Sequence, residues 1–280
     1  GVNFVRTGLW TGFYRVMLNP GAIDEGVLRA LEAYVMIAAE NNVLVCFNFF
    51  AFSPPLFTGI NPYLDPVSLE GQKRLLSLVA NRFKGCNWIH YDLINEPSYS
   101  PQNEIWQNVP VKDHYEKQFW TEWVRRKFNN DEDLMRDSWR DISNDIYSVP
   151  YSGELYYSQL REYKRFRKGM DFQLFTQDVI ANWAKSLAAA LHDFGDNALV
   201  TLGQDEGGND VRPQPQFYYK SIDYTSIHTW WMNDDLLWDG LASKVLEKPN
   251  MVQETGLMRL ENIDGEHWRT PEKAENVLRR

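Results

Sequence analysis

The sequence predicts an α/β fold: a (β/α)8 barrel, apparently incomplete, with strands two to seven visible and a helical insertion after strand four. Three observations lead there. Six short apolar runs read as buried strands, helix-period segments fill most gaps between them, and two runs end in glutamate. Strand alternating with helix is the pattern of βα units on a parallel sheet.

The strand segments are Val2–Thr7, Val43–Phe50, Trp88–Asn95, Ala198–Leu202, Tyr224–His228 and Asn250–Gln253. Each is nearly continuous in apolar residues, as strands buried on both faces are. Between the first two, Asp24 to Glu40 carries Val27, Leu28, Leu31, Tyr34, Val35 and Ala38 on one helical face. Leu69 to Phe83 and Phe172 to Phe194 repeat that periodicity. Asn95 and Ala198 stand about 100 residues apart, where one helix and its loops take about 30 to 40. The excess, residues 100–170, is rich in charge and aromatics and reads as a helical insertion. Within it Asn130-Asp131-Glu132-Asp133 predicts a helix start with Asn130 as N-cap.

Setting aside about 70 inserted residues leaves about 35 for each of six units, against about 31 in a full eight-unit barrel. The 280 residues therefore read as one partial barrel domain spanning 1–280. A six-strand arc has two open edges and is expected to associate or to be completed by further strands.

Composition narrows the function classes. The chain is 44% hydrophobic and 24% charged, which suits a folded core and excludes disorder. A net charge of −9 disfavours nucleic-acid binding. No apolar run is long enough to cross a membrane. Cys46 lies in an apolar run and reads as a small buried hydrophobe, and two cysteines alone make no structural zinc site. The 11 tryptophans fit either a large core or a surface on which sugar rings stack.

The chemistry sits at two strand ends. Tyr91-Asp92-Leu93-Ile94-Asn95-Glu96-Pro97 is an apolar strand ending in Asn-Glu and stopped by proline, and Asn250-Met251-Val252-Gln253-Glu254-Thr255-Gly256 ends likewise in Glu. Catalytic groups of parallel barrels stand at the C-terminal ends of the strands. Paired carboxylates are the machinery of glycoside hydrolysis, one donating to the leaving oxygen while the other attacks or activates water. Their environments must push their pKa values apart, so one of the two stays protonated.

These residues resemble clan A glycoside hydrolases, the retaining (β/α)8-barrel enzymes that include family 5 cellulases and mannanases. In that clan an Asn-Glu ending strand four carries the acid/base and a Glu ending strand seven is the nucleophile; Asn95-Glu96 and Glu254 match. The resemblance implies that Arg6 orients Glu254, that Asn95 bonds the sugar 2-hydroxyl, that His228 helps position the nucleophile, and that Glu96 keeps its proton at a raised pKa while Glu254 is charged. His228 fits the clan's His-x-Tyr on strand six, with Trp230 in place of Tyr. Asn48 stands near a position that is His in many family 5 members, and His90 where the motif is usually apolar. Trp120-Thr121-Glu122-Trp123-Val124 is similar to the segment after strand four in family 42 β-galactosidases. The resemblance implies a carbohydrate substrate and no cofactor.

Other candidates follow. Trp10, Phe52, Trp230, Trp231 and Trp238 come after strands two, three and six, where they could pack or stack sugars. Gln204-Asp205-Glu206-Gly207-Gly208 reads first as a polar loop and second as a substrate contact. Asp92 is expected as a hydrogen-bonded acid inside the barrel. No His-Glu-x-x-His spacing occurs, so no metal is expected. Thr270 to Arg280 reads as the helix before strand eight. Gly1 to Arg6 reads as strand rather than signal peptide, which leaves localisation unassigned; a secreted or periplasmic enzyme fits the resemblance. Two alternatives stay open: a non-catalytic carbohydrate-binding barrel remnant, and a transglycosylase on the same fold.

Overall fold

A computed structural model describes residues 2–10, 16–19, 22–150, 167–193, 198–205, 212–229 and 236–255. The chain enters on β1 (Phe4–Gly8), then passes through a small antiparallel hairpin, β2 (Met17–Asn19) and β3 (Ala22–Ile23). Four alternating elements follow: α1 (Glu25–Glu40), β4 (Leu44–Ala51), α2 (Pro66–Arg82) and β5 (Ile89–Asn95). Next come α3 (His114–Lys127), α4 (Glu132–Trp139) and α5 (Arg167–His192). The chain then returns through β6 (Val200–Gly203), α6 (Pro215–Tyr218), a 3-10 turn (Tyr219–Ser221), β7 (Thr225–Thr229), α7 (Leu236–Ser243) and β8 (Asn250–Thr255).

Strands β1, β4, β5 and β6 form one parallel sheet in that order, and β7 and β8 form a parallel pair. The pair continues the arc. Asp223 N–H donates to the Val200 carbonyl and His228 N–H to the Gln204 carbonyl, both at 2.8 Å. All six strand segments expected from sequence are present, with ends shifted by a residue or two. The result is an incomplete (β/α)8 barrel among the described residues.

Local chemistry sets the element ends. The Asp24 carboxylate caps α1 by accepting from Gly26 and Val27 N–H. Asp65 caps α2 in the same way, with Pro66 in the first turn, where its missing N–H costs nothing. At α4 the N-cap is Asp131, not Asn130: the Asp131 carboxylate accepts from Leu134 N–H at 2.9 Å. Asn129 and Asn130 instead take left-handed backbone, φ 53° and 61°, and end the preceding helix. Asparagine tolerates that conformation better than most residues, which frees Asp131 to cap.

Gly8 is a matter of close approach: a Cβ there would lie 2.0 Å from the Asn48 carbonyl oxygen across the β1–β4 ladder.

The helices within 100–170 pack on the barrel through aromatic rings. Trp120 lies between Trp123 and Trp139, nearly parallel to each, with centroids 5.7 and 5.9 Å away. It also meets Phe172 and Phe175 of α5 edge-on. The Trp139 indole donates to Asp171 at 2.9 Å. Trp120 is fully buried, so these rings are core. Residues 151–166 of this segment, and the tail from Thr270 expected as a helix, lie outside the described residues. Cys46 is buried and both cysteines are free thiols. No described helix is long and apolar enough to cross a membrane.

Candidate active site

The site begins with an arginine that the strands have buried. Arg6, in the middle of β1, has a side chain 7% exposed. Its Nε and Nη2 donate to Asp92 Oδ2 at 2.8 and 2.6 Å, and Nη2 donates to Asn95 Oδ1 at 2.9 Å. Nη1 donates to Glu254 Oε1. Burial alone would lower the pKa of the guanidinium, but the charges of Asp92 and Glu254 outweigh it and hold the pKa above its ordinary value. Asp92, wholly buried, also accepts from Gly203 N–H at 2.8 Å. Gly203 leaves the room for this pair: a Cβ there would stand 2.8 Å from Arg6 Nη2 and 3.0 Å from Asp92 Oδ2.

Glu96 follows β5 in left-handed backbone, φ 47°. A non-glycine residue in that region is uncommon, and such strain clusters at functional sites. The turn is held by Glu96 N–H donating to the Gly203 carbonyl at 2.7 Å. Both carboxylate oxygens are engaged. Oε1 lies 3.1 Å from His228 Nδ1, and Oε2 accepts from the Trp106 indole N–H at 3.1 Å. Burial pushes the Glu96 pKa up, but His228, the indole N–H and the Arg212 charge outweigh burial and leave it below the usual carboxylate value. This corrects the expectation of a raised pKa at Glu96. The expectation counted only the repulsion from Glu254, whereas the His228 and Trp106 contacts on the two oxygens and the Arg212 charge favour the charged form.

Glu254, on β8, is 18% exposed. His228 Nδ1 lies 3.7 Å from Glu254 Oε1, farther than from Glu96, so the ring leans toward the acid/base candidate rather than the nucleophile candidate. One ligand-type atom from each of Glu96, His228 and Glu254 lies within 4.8 Å of the others, the one such group among the described residues. The donor set suits a cation poorly, because Arg6 already supplies positive charge to Glu254 and the Trp106 N–H holds Glu96.

The remaining sequence candidates divide. Asn95 joins the site through Arg6. Asn48 is fully buried, in register with Asp92, and its side-chain amide has no hydrogen-bond partner among the described residues. Trp10 lies under the Arg6 guanidinium, 4.8 Å from the ring centroid. Trp238 is on α7 and 64% exposed. Asp205 pairs with Arg212 at 2.7 Å. Trp230, Trp231 and Glu206 to Gly208 lie outside the described residues.

Sequence reasoning missed Trp106, Gly203 and Arg212. Trp106 sits in the segment read as insertion, ten residues past Glu96 on an irregular loop where no periodicity points to it. Gly203 closes the apolar run of β6, and a glycine at a strand end is a signal of close approach that could have been used.

No protein-family model and no curated protein matches the chain. Solved structures do match in shape. The cold-adapted β-galactosidase from Rahnella sp. R3 aligns with TM-score 0.70 at 13% identity, over 96% of this chain and 42% of that one. The β-galactosidase from the psychrophilic Marinomonas ef1 aligns with TM-score 0.60 at 12% identity, over 83% of this chain and 37% of that one. The exo-β-1,4-mannosidase from Opitutaceae bacterium strain TAV5 aligns with TM-score 0.56 at 15% identity, over the whole of this chain and 42% of that one. The chain thus spans well under half the length of these proteins. At such identities the likeness concerns architecture alone: this chain has the TIM-barrel fold on which those β-glycosidases are built.

Proposed function

We propose that this chain is the catalytic barrel, or part of it, of a retaining β-glycoside hydrolase acting on oligo- or polysaccharides. Glu254 attacks the anomeric carbon and forms a glycosyl ester. Glu96 protonates the departing oxygen, then takes the proton from the water that cleaves the ester. Asn95 bonds the sugar 2-hydroxyl, and Arg6 holds Glu254 in line. Trp10, Asn48, His228, Trp230 and Trp231 complete the sugar-binding surface in this reading.

The observation that carries it is the spacing. Glu96 and Glu254 are 158 positions apart in sequence, yet atoms of their carboxylates lie within 4.8 Å. Retaining enzymes hold their two carboxyl groups about 5–5.5 Å apart, and inverting enzymes about 6.5–9.5 Å to admit a water. A closest approach within 4.8 Å supports the shorter class, and the fold likeness to β-galactosidases and a β-mannosidase supports the substrate class.

The test is to incubate the chain with a panel of 2-deoxy-2-fluoro β-glycosides carrying good leaving groups. Mass spectrometry should find one added glycosyl group, on the peptide containing Glu254. Label on another residue would reassign the nucleophile. Binding of sugars with neither label nor turnover would favour the carbohydrate-binding remnant, and products lengthened by an added acceptor sugar would favour the transglycosylase.

A further inference from the structure

Trp106 is not explained by packing. The residue is 46% exposed, and its backbone is left-handed, φ 60°. A bulky residue in that region is a genuine outlier. Two contacts hold it there. Its backbone N–H donates to Ser98 Oγ at 3.1 Å, and its ring meets Phe52 edge-on at 5.3 Å. Phe52 is itself left-handed, φ 63°, and its N–H donates to the Asn95 carbonyl at 2.7 Å. Strain and partial exposure are thus spent on bringing one group, the indole N–H, to Glu96 Oε2.

An indole N–H is a donor and nothing else. It bonds a carboxylate oxygen more strongly than an oxygen that carries a proton. His228 faces the other oxygen. A proton placed on Oε2 for a leaving group therefore weakens the Trp106 contact there. We propose that Trp106 is a positioning residue that favours Glu96 as a carboxylate in the free site and gives way on Oε2 when a glycosidic oxygen arrives, so that Glu96 takes up its proton more readily in the filled site. This deepens the glycosidase reading and rests on it. The balance is simple: the indole keeps its hydrogen, Oε2 takes a proton from solvent, and that proton passes to the departing sugar oxygen.

Other charges act on Glu96: His228 on β7 and Glu254 on β8 lie beside it, and the Arg212 charge beyond β6 favours its ionised form. Behind these, Arg6 on β1 pairs with Glu254 and with Asp92 on β5, and Asp205 pairs with Arg212. The experiment must therefore isolate the Trp106 contribution. In the full chain, the Trp106 indole N–H resonance is identified by its loss in Trp106→Phe and followed from pH 3 to 8. It should inflect with the titration of Glu96, and the inflection should vanish in Glu96→Gln. In Trp106→Phe the basic limb of kcat/KM, which reports the acid in the free enzyme, should move up by about 0.5–1 pH unit, the size expected for one partly exposed bond to a charged group. The acidic limb should stay in place. Turnover with a flat indole resonance, or with an unmoved basic limb, overturns this role of Trp106 and leaves the glycosidase reading intact. An inflecting resonance without turnover on any aryl β-glycoside overturns the glycosidase reading, and the role of Trp106 with it, while the contact itself stands.

Discussion

Asp92 takes two hydrogen bonds from Arg6 through a single oxygen, at 2.8 Å from Nε and 2.6 Å from Nη2. The pair is the electrostatic anchor of the site. Its two members come from neighbouring regions of one sheet, and the same guanidinium reaches on to Asn95 and Glu254. Removing Asp92 would leave a buried cation short of charge. Asp92→Ala should cost about 3–5 kcal/mol of stability, as breaking buried pairs does. Urea denaturation checks this, and a loss below about 1 kcal/mol would mean that Glu254 alone satisfies Arg6.

Gly203 borders that pair. Alanine there would press a methyl group against Arg6 Nη2, Asp92 Oδ2 and the Ile94 carbonyl, at 2.8, 3.0 and 3.0 Å. Two of these groups are pinned by their own hydrogen bonds and the third is backbone, so none yields easily. Gly203→Ala should destabilise by about 1–3 kcal/mol, the usual range for overpacking, and should lower turnover by shifting Arg6 away from Glu254. An unchanged thermal midpoint would show that the pair can slide aside.

The proposed division of labour between Glu96 and Glu254 gives a leaving-group test. Glu96→Ala should slow cleavage of unactivated β-glycosides by about 10²–10⁴-fold, the contribution of a positioned general acid. Aryl β-glycosides with good leaving groups need little protonation and should keep their first step. Pre-steady-state kinetics on both substrate types separates the cases; equal loss on both would remove Glu96 as the acid.

A second carboxylate gives stability a pH dependence away from the site. Glu116, fully buried, accepts from Tyr99 Oη and from Val111 and Lys112 N–H, at 2.9, 2.8 and 3.0 Å. Burial pushes it up to about 7 despite these donors. A carboxyl group raised on folding binds its proton more tightly in the native state. Its stabilising contribution is therefore complete below the unfolded pKa, near 4.5, and is lost as pH rises through about 7. Urea midpoints measured from pH 4 to 8 should fall across that window. In Glu116→Gln the decline attributable to this group should vanish, whatever the constant cost of the amide. An identical slope in both proteins would show that Glu116 is ionised throughout.

The sequence by itself determined the frame of this protein. Strands buried on both faces need not alternate, so β4 and β5 appear as nearly continuous apolar runs. The buried face of α1, at Leu28, Val35 and Ala38, shows as helical periodicity. The carboxylates at 96 and 254 were visible because each ends such a run. Everything that decides the state of those carboxylates was left to tertiary structure. His228 is 132 positions from Glu96 and Arg6 is 86 from Asp92, separations that meet only once the sheet has curved. Trp106 is near in sequence but reaches Glu96 through strained loop backbone, which no periodicity encodes. Local propensity and burial pattern act along the chain, and so can be read from it. Ionisation depends on the donors and charges that converge on one carboxylate in space, and that convergence turned an expected proton on Glu96 into a carboxylate held from both sides.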